Sequence, residues 1–543
     1  MIVGERWQRI VAGGLIVVFA ISLATAFFVP IYLDEIGWRI LRARTDLDGG
    51  VGISLWPQCT SRFALPVAWY NLPWRSLEGW LYADLSHPLW LRISGFGFLA
   101  LWLGTALVLV PKALAWPLDR LRLMGLGAAY LGLCLIPLAL VINRPEQSLL
   151  LAIVLFASLP FVLAADRERP AIVEAALAAG LVLLAGFFFA KHTKAILFTP
   201  LVAVTVWFTL KSRALRLAAL APILLLAIAN GRHYVDRLAC PENAFAAADG
   251  RNAGLPLHLL SVDPVRFLKV LYWRLSDAPW YFERLMFNDR IYLNWLPKGN
   301  RIGIAEHIAN FGFAILLIAV AVLLIVELRR LARDDWRARR LGPRLAVLLS
   351  LVAAGLVIMM SQGQKHFYDG TFLAILAGLG ALLGWQPAPA RFRGVVAVGL
   401  TTLAAVALVS QIAMWTWLWP EVAGRLSGPD YRPSDWSFSA FGYDRTARQI
   451  RQTAALCGIS PDAGTRNLVV DSITYGTLWR TWRPFLSHYI TRHWRGGIED
   501  TVAFLTAKKS EGMVVACTQV PRNMQFLVRR NGDFCCMSSF VQK

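Results

Sequence analysis

Long apolar runs alternate with short polar connections for most of the chain. Eleven runs approach or exceed the roughly 20 residues that a helix needs to cross a bilayer. They lie at about 10–30, 90–111, 121–142, 148–165, 171–190, 195–210, 214–230, 306–326, 344–361, 371–386 and 395–418. The runs at 195–210 and 371–386 are the shortest. Long polar stretches occur in three places: 31–89, 231–305 and 419–543. The pattern predicts an α-helical polytopic membrane protein with about 11 transmembrane helices over residues 1–418. The first run shows no small-residue cleavage site and leads straight into a polar loop, so it is expected to be a retained helix.

The region 419–543 changes period. TARQIRQTAALC (446–457) has the spacing of an amphipathic helix, and a second helix is expected at about 497–507. NLVVDSITY (467–475), GMVVACTQV (512–520) and MQFLVRR (524–530) read as strands. A small α/β domain of roughly 110 residues follows, large enough to carry its own core.

Lys and Arg orient the bundle. If the N-terminus is inside, the short inner segments hold 19 of them and the short outer loops hold only Arg144, Lys191, Lys194 and Lys365. The positive-inside rule then predicts an inside N-terminus and an outside C-terminal domain. The loops 31–89 and 231–305 also fall outside. They are dense in Trp, Tyr and Pro (WYNLPWRSLEGWLY, YWRLSDAPWYFERL), as suits segments lying at a membrane interface.

Composition agrees. Of 543 residues, 57% are hydrophobic and only 16% charged, against about 25% charged in soluble domains; mean hydropathy is +0.51. The net charge of +21 lies in short loops between spans, so it sets orientation and does not imply a nucleic-acid partner. There is no P-loop, no GxGxxG after a strand, no GxSxG and no zinc spacing, and no nucleotide cofactor is expected. Of seven cysteines, Cys134 falls mid-membrane. The other six, Cys59, Cys240, Cys457, Cys517, Cys535 and Cys536, map outside, where disulfides persist. The preferred pairing is Cys59 with Cys240, and the four tail cysteines among themselves.

Four polar clusters land at the outer membrane edge: Asp34-Glu35, Asn143-Arg144-Pro145-Glu146, Lys191-His192-Thr193-Lys194 and Gln364-Lys365-His366-Phe367-Tyr368. Each alone fits a tight turn with solvated charges. Together, on one side and against the charge rule, they point to one basin holding a base and anion ligands.

YLDE after the first run, NRPE between the third and fourth, HTKAILFTPL opening the sixth and QKHFYDGTFLAILAGLGALL entering the tenth resemble the GT-C superfamily of polytopic glycosyltransferases. The KHF stretch is similar to the membrane arabinosyltransferases of the cell envelope, and HTKAILFTPL to the aminoarabinose and mannosyl transferases. The resemblance implies a multi-pass enzyme of the bacterial inner (cytoplasmic) membrane with its site facing the periplasm. The donor would be a sugar, a pentose such as arabinofuranose included, on a polyprenyl phosphate. The acceptor would be an envelope glycan, a lipid or a protein. Asp34 is then the candidate base, because an acceptor hydroxyl must lose its proton in the transition state. Glu35 would orient the acceptor or, with Asp34, hold a divalent cation such as Mg²⁺, Mn²⁺ or Ca²⁺. Lys194, Lys365 and His366 are candidates for the lipid phosphate, with Arg144, Tyr368, Lys191 and His192 behind them, and Glu146 for acceptor orientation. Two other readings compete: a transporter or flippase for a lipid-linked sugar, and a non-catalytic envelope scaffold. A transporter would carry mid-membrane charges and broken helices in two matching halves, and the runs read as nearly charge-free and unbroken. A scaffold would tolerate Asp34→Asn.

Overall fold

The computed structural model describes residues 2–29, 31–32, 35, 89–115, 118–164, 168–191, 193–238, 254–287, 303–363, 365–385, 393–427, 437–438, 443–460, 468–471, 474, 477–478, 485–486, 498–507, 510–520 and 522–538. It is a polytopic helical membrane protein with a small C-terminal α/β unit. Among the described residues, nine helices are long and apolar enough to span: Arg6–Phe27, Leu89–Ala113, Pro145–Val162, Ala171–Phe189, Arg213–Gly231, Ile304–Arg337, Pro343–Ser361, Phe367–Gly384 and Val398–Thr416.

In chain order the bundle comprises α1 (Ile2–Phe27), α2 (Leu89–Ala113), α3 (Arg120–Leu131), α4 (Ile136–Leu140), α5 (Pro145–Val162), α6 (Ala171–Lys191), α7 (Thr199–Thr209) and α8 (Arg213–Leu238). Then come α9 (Leu257–Val262), α10 (Pro264–Ser276), α11 (Pro279–Glu283), α12 (Ile304–Arg337), α13 (Pro343–Ser361), α14 (Phe367–Gly384) and α15 (Arg393–Ser427).

The expectation of unbroken runs fails twice. The run 121–142 is two helices, α3 and α4, joined by a turn at 132–135 where Cys134 takes φ 45°. Pro137 is the reason: it has no N–H, and its ring excludes the carbonyl of residue 133 from a continuing helix. The run 195–210 is a 3₁₀ turn, Thr193–Phe198, followed by α7, with Pro200 in the first turn of the helix. Backbone freed inside a membrane must be satisfied by protein. At the first break Leu135 N–H donates to Leu285 O at 2.9 Å.

That acceptor comes from an unexpected place. The stretch 231–305 was expected as an outer interfacial loop. Its helix α10 fits, with Val265, Leu268, Tyr272 and Trp273 exposed. The following stretch does not. Tyr281, Leu285 and Phe287 are buried in the bundle core. The Asn310 amide on α12 bonds both the N–H (2.8 Å) and the C=O (2.6 Å) of Phe287. At Gly370, near the start of α14, a Cβ would lie 2.1 Å from Tyr281 O, so this approach requires glycine.

The C-terminal unit holds β3 (Val469–Val470), β4 (Phe485–Leu486), β5 (Gly512–Ala516), β6 (Arg529–Asn531) and β7 (Phe534–Ser538), in the order β4-β3-β5-β7-β6. β3 runs parallel to β4 and β5, and β7 antiparallel to β5 and β6. The strand expected at 524–530 is mostly a 3₁₀ turn, Arg522–Leu527, leading into β6. Alternation sends Val514, Phe534 and Cys536 to one core with α16 (Tyr443–Leu456). It sends Met513, Val515, Cys535 and Met537 to the other core, with Leu505 of α17 (Ile498–Ala507). The vicinal cysteines therefore face opposite sides, and form Cys457–Cys536 and Cys517–Cys535. Cys59 and Cys240 lie outside the described residues, and Cys134 is a buried thiol.

The unit sits on one end of the bundle. Leu91 of α2 packs into the α16 core. β1 (Ile31–Tyr32), just after α1, pairs antiparallel with β2 (Ser437–Phe438), just before α16. The opposite end is the basic one. There Arg344 donates to Ala113 O at 3.1 Å and to Leu383 O, and Arg169 to Thr209 O at 3.0 Å, tying down helix C-termini.

Candidate functional site

Five polypeptide segments meet at the end of the bundle that carries the C-terminal unit. The first is the end of α1 and the turn after it. Asp34 lies outside the described residues, but Glu35 does not, and it is fully buried. Its Oε1 pairs with Arg92 Nη2 at 3.1 Å, and both side chains are shielded from solvent. Its Oε2 accepts from Asn143 N–H at 3.2 Å. Arg92 also donates to Val29 O at 3.2 Å, and the Asn143 amide donates to Ser94 at 2.6 Å. The turn after α1 is thus fastened to α2 and to the loop before α5. Close approach of α2 to that loop depends on Gly95, where a Cβ would lie 2.4 Å from Val141 O.

The next residue, Arg144, opens the second group. Pro145 starts α5 with its locked φ, which places Arg144 at the N-cap and Glu146 in the first turn. Arg144 Nε donates to Glu146 Oε2 at 3.1 Å. Glu146 Oε1 accepts from Lys194 Nζ at 3.2 Å, and the same ammonium contacts Asp369 Oδ1. Lys194 stands in the 3₁₀ turn that breaks the α6–α7 run, and Asp369 in the first turn of α14. Carboxylates in the first turns of α5 and α14 also face the positive ends of those helices. The Arg144 guanidinium lies 3.5 Å from the Tyr368 ring centroid, and Lys194 Nζ 5.6 Å from it. His366 stacks on Tyr368 with centroids 4.9 Å apart and planes 7° from parallel.

The result is two cations and two carboxylates, nearly enclosed, with the half-buried His366 and Tyr368 beside them. Lys194 is 11% exposed while Asp369 is sealed. Charges buried inside a membrane-protein bundle are costly and are functional candidates by default.

Lys365 is placed differently. Its Nζ donates to three carbonyls, Arg274 (2.9 Å), Met359 (3.0 Å) and Gln362 (2.7 Å), and lies 4.8 Å from the Tyr281 ring centroid. It closes the C-terminal end of α13 and holds α10 to it. Burial lowers its pKa to about 8; Arg274 pushes the same way, while Asp277 and Asp369 oppose. Burial raises the Tyr281 phenol well above its ordinary value, and its hydroxyl bonds Gln362 at 3.2 Å.

Of the residues expected from sequence, the structure brings Arg144, Glu146, Lys194, Tyr368 and His366 together, ties Glu35 to Asn143 next to them, and turns Lys365 to the carbonyls at the end of α13. Lys191 closes α6; its side chain and His192 lie outside the described residues. Two members were missed. Asp369 directly follows Tyr368 in QKHFYDG and was legible as an acid opening a helix. Arg92 was legible as a charge inside an apolar run.

Of the two residues expected to hold a divalent cation, Asp34 lies outside the described residues and Glu35 is already engaged. Its two oxygens already face a guanidinium and a backbone N–H, so a cation of the chain stands where the metal would. Among the described residues no three His, Cys, Asp or Glu side chains converge.

No protein-family profile and no curated protein matches the chain. Solved structures similar to it include the Archaeoglobus fulgidus oligosaccharyltransferase complexed with Zn and sulfate, at 12% identity and TM-score 0.43 over 92% of this chain and 68% of that one. The same archaeal enzyme, AglB, with an inhibitory peptide and a dolichol-phosphate gives 12% identity and TM-score 0.45 over 93% and 69% of the two chains. Its form tethered to an acceptor peptide containing the NVT sequon gives 10% identity and TM-score 0.44 over the same shares.

Proposed function

We propose that this chain is a GT-C-type membrane glycosyltransferase that moves a sugar from a polyprenyl-phosphate donor to an acceptor on the outer face of the inner membrane. The observation that carries the reading is the meeting of Arg144, Glu146, Lys194, Asp369 and Tyr368 at one end of the bundle, next to Asn143, which Glu35 holds. The sequence motifs that resemble GT-C enzymes fall on these same segments. A pentose donor such as arabinofuranose and an envelope glycan, lipid or protein acceptor are the finer part of the proposal.

In this reading Asp34 takes the proton of the acceptor hydroxyl as that oxygen attacks the sugar carbon. The bond from that carbon to the phosphate oxygen breaks, and the lipid phosphate leaves with one more negative charge. Arg144 and Lys194 stand at the mouth to receive it, the first able to clamp two oxygens and the second acting as a point charge. The start of α5, with Arg144 at its cap, and the start of α14 add positive potential. Glu146 and Asp369 hold Lys194 in place. Glu35, locked to Arg92, anchors the chain immediately after Asp34. Lys365 supports the start of α14 from behind. No step is routed through a metal.

The test is Asp34→Asn in the purified protein with polyprenyl-phosphate sugars. Transfer should fall about 10²–10⁴-fold, the usual loss for a general base, while donor binding persists. Near-normal transfer would remove Asp34 from the mechanism. The broken helices give some support to a transporter of lipid-linked sugars. That reading requires donor translocation without glycosyl transfer, and the same assay separates the two.

A further inference from the structure

Glu146 and Asp369 reach one point from two different helices. Converging buried carboxylates are an arrangement suited to a divalent cation. Here the point is filled from within the chain. Lys194 Nζ lies 3.2 Å from Glu146 Oε1 and in contact with Asp369 Oδ1. A second observation marks the same place. Asp369 Oδ2 is buried and has no hydrogen-bond partner among the described residues. Together with Glu146 Oε1 and Asp369 Oδ1, it would complete three oxygens around a metal, one more than the ammonium uses.

We propose that the Lys194 ammonium is a resident cation, occupying the position a divalent ion would take between Glu146 and Asp369. Among the described residues the cluster is then neutral: Arg144 and Lys194 balance the two carboxylates. A divalent ion entering beside them would leave two surplus positive charges in a poorly solvated place. Removing the Lys194 side chain leaves one surplus negative charge, an orphaned oxygen and a vacant channel about as long as a propylammonium ion. The inference concerns the cluster itself and holds whether or not the chain transfers sugars.

The test uses the full-length protein in detergent, reading Mn²⁺ binding by electron paramagnetic resonance and the thermal midpoint. Wild type should show no Mn²⁺ binding that Asp369→Asn removes. Lys194→Ala should lower Tm by on the order of 3 °C, as expected when a buried ion pair is broken in a chain this long. Either n-propylammonium or Mn²⁺ should restore it. Adding Asp369→Asn to Lys194→Ala rebalances the charge, so it should recover Tm and abolish the cation response. If Lys194→Ala does not accumulate, normal accumulation of the double variant carries the same meaning. Mn²⁺ bound to wild type and lost in Asp369→Asn would overturn the proposal. So would an unchanged Tm in Lys194→Ala, or a defect that persists in the double variant.

Discussion

The Glu35–Arg92 pair permits a sharp test of how the turn after α1 is held. The two charges are 3.1 Å apart and both are sealed from solvent. At an effective dielectric of about 20, their attraction is roughly 5 kcal/mol. Much of that is offset by the cost of removing both ions from water, so the pair as a whole adds little net stability. Breaking it from one side is another matter. Glu35→Gln leaves the Arg92 charge in a dry place without its carboxylate, and Arg92→Met does the converse. Each should cost about 3–5 kcal/mol. For a chain of this length that is a fall in Tm of a few degrees. The double variant Glu35→Gln/Arg92→Met removes both charges and should recover most of the loss. The assay is a thermal cycle of the four proteins in detergent, read by intrinsic fluorescence, with donor-dependent transfer measured alongside. If Glu35 only anchors the turn, transfer recovers with Tm in the double variant. If Glu35 also orients the acceptor, Tm recovers and transfer does not. A single variant with wild-type Tm, or additive losses in the double variant, would refute the account of the buried pair.

Two further outcomes are expected. Burial lowers Lys365 to about 8 from an ordinary 10.5, so between these pH values the unfolded chain holds a proton that the folded chain has released. Stability from this group therefore rises with pH across that window and is lowest below pH 8. The Tm difference between wild type and Lys365→Met should move in favour of wild type from pH 8 to 10, and a flat difference would mean that the ammonium is not desolvated. In the C-terminal unit, the bridges Cys457–Cys536 and Cys517–Cys535 close chain separations of 79 and 18 residues. Chain entropy makes them worth about 4.5 and about 3 kcal/mol. Cys457→Ser/Cys536→Ser should therefore lower the unit's Tm more than Cys517→Ser/Cys535→Ser, and peptide mapping under non-reducing conditions should recover both pairings.

The length and spacing of the apolar runs by themselves determined the class of this protein. Crossing a bilayer is a local requirement, satisfied residue by residue, so a sliding reading of hydropathy finds α1, α2, α5, α6, α8 and α12 to α15 without knowing what they touch. The same holds for the helix at 443–456 and the strand at 512–516, whose periods differ from the bundle's. Pairing of the four tail cysteines among themselves followed from their grouping, but their partners did not: they were set by β7, a strand not expected from sequence, which turns Cys535 and Cys536 to opposite faces. Tertiary packing alone decided which charges meet. Lys194 and Asp369 are 175 residues apart, and their contact exists because a 3₁₀ turn and the first turn of α14 reach the same place. Lys365, four residues from Asp369, faces the carbonyls at the end of α13 instead, because it precedes the extended N-cap His366 and so lies in the link from α13, outside the helix that orients Asp369. The buried stretch 279–287 was hidden for a similar reason. Its aromatic residues suit an interface or a core equally, and only the gap left by the break at 132–135 chose between them.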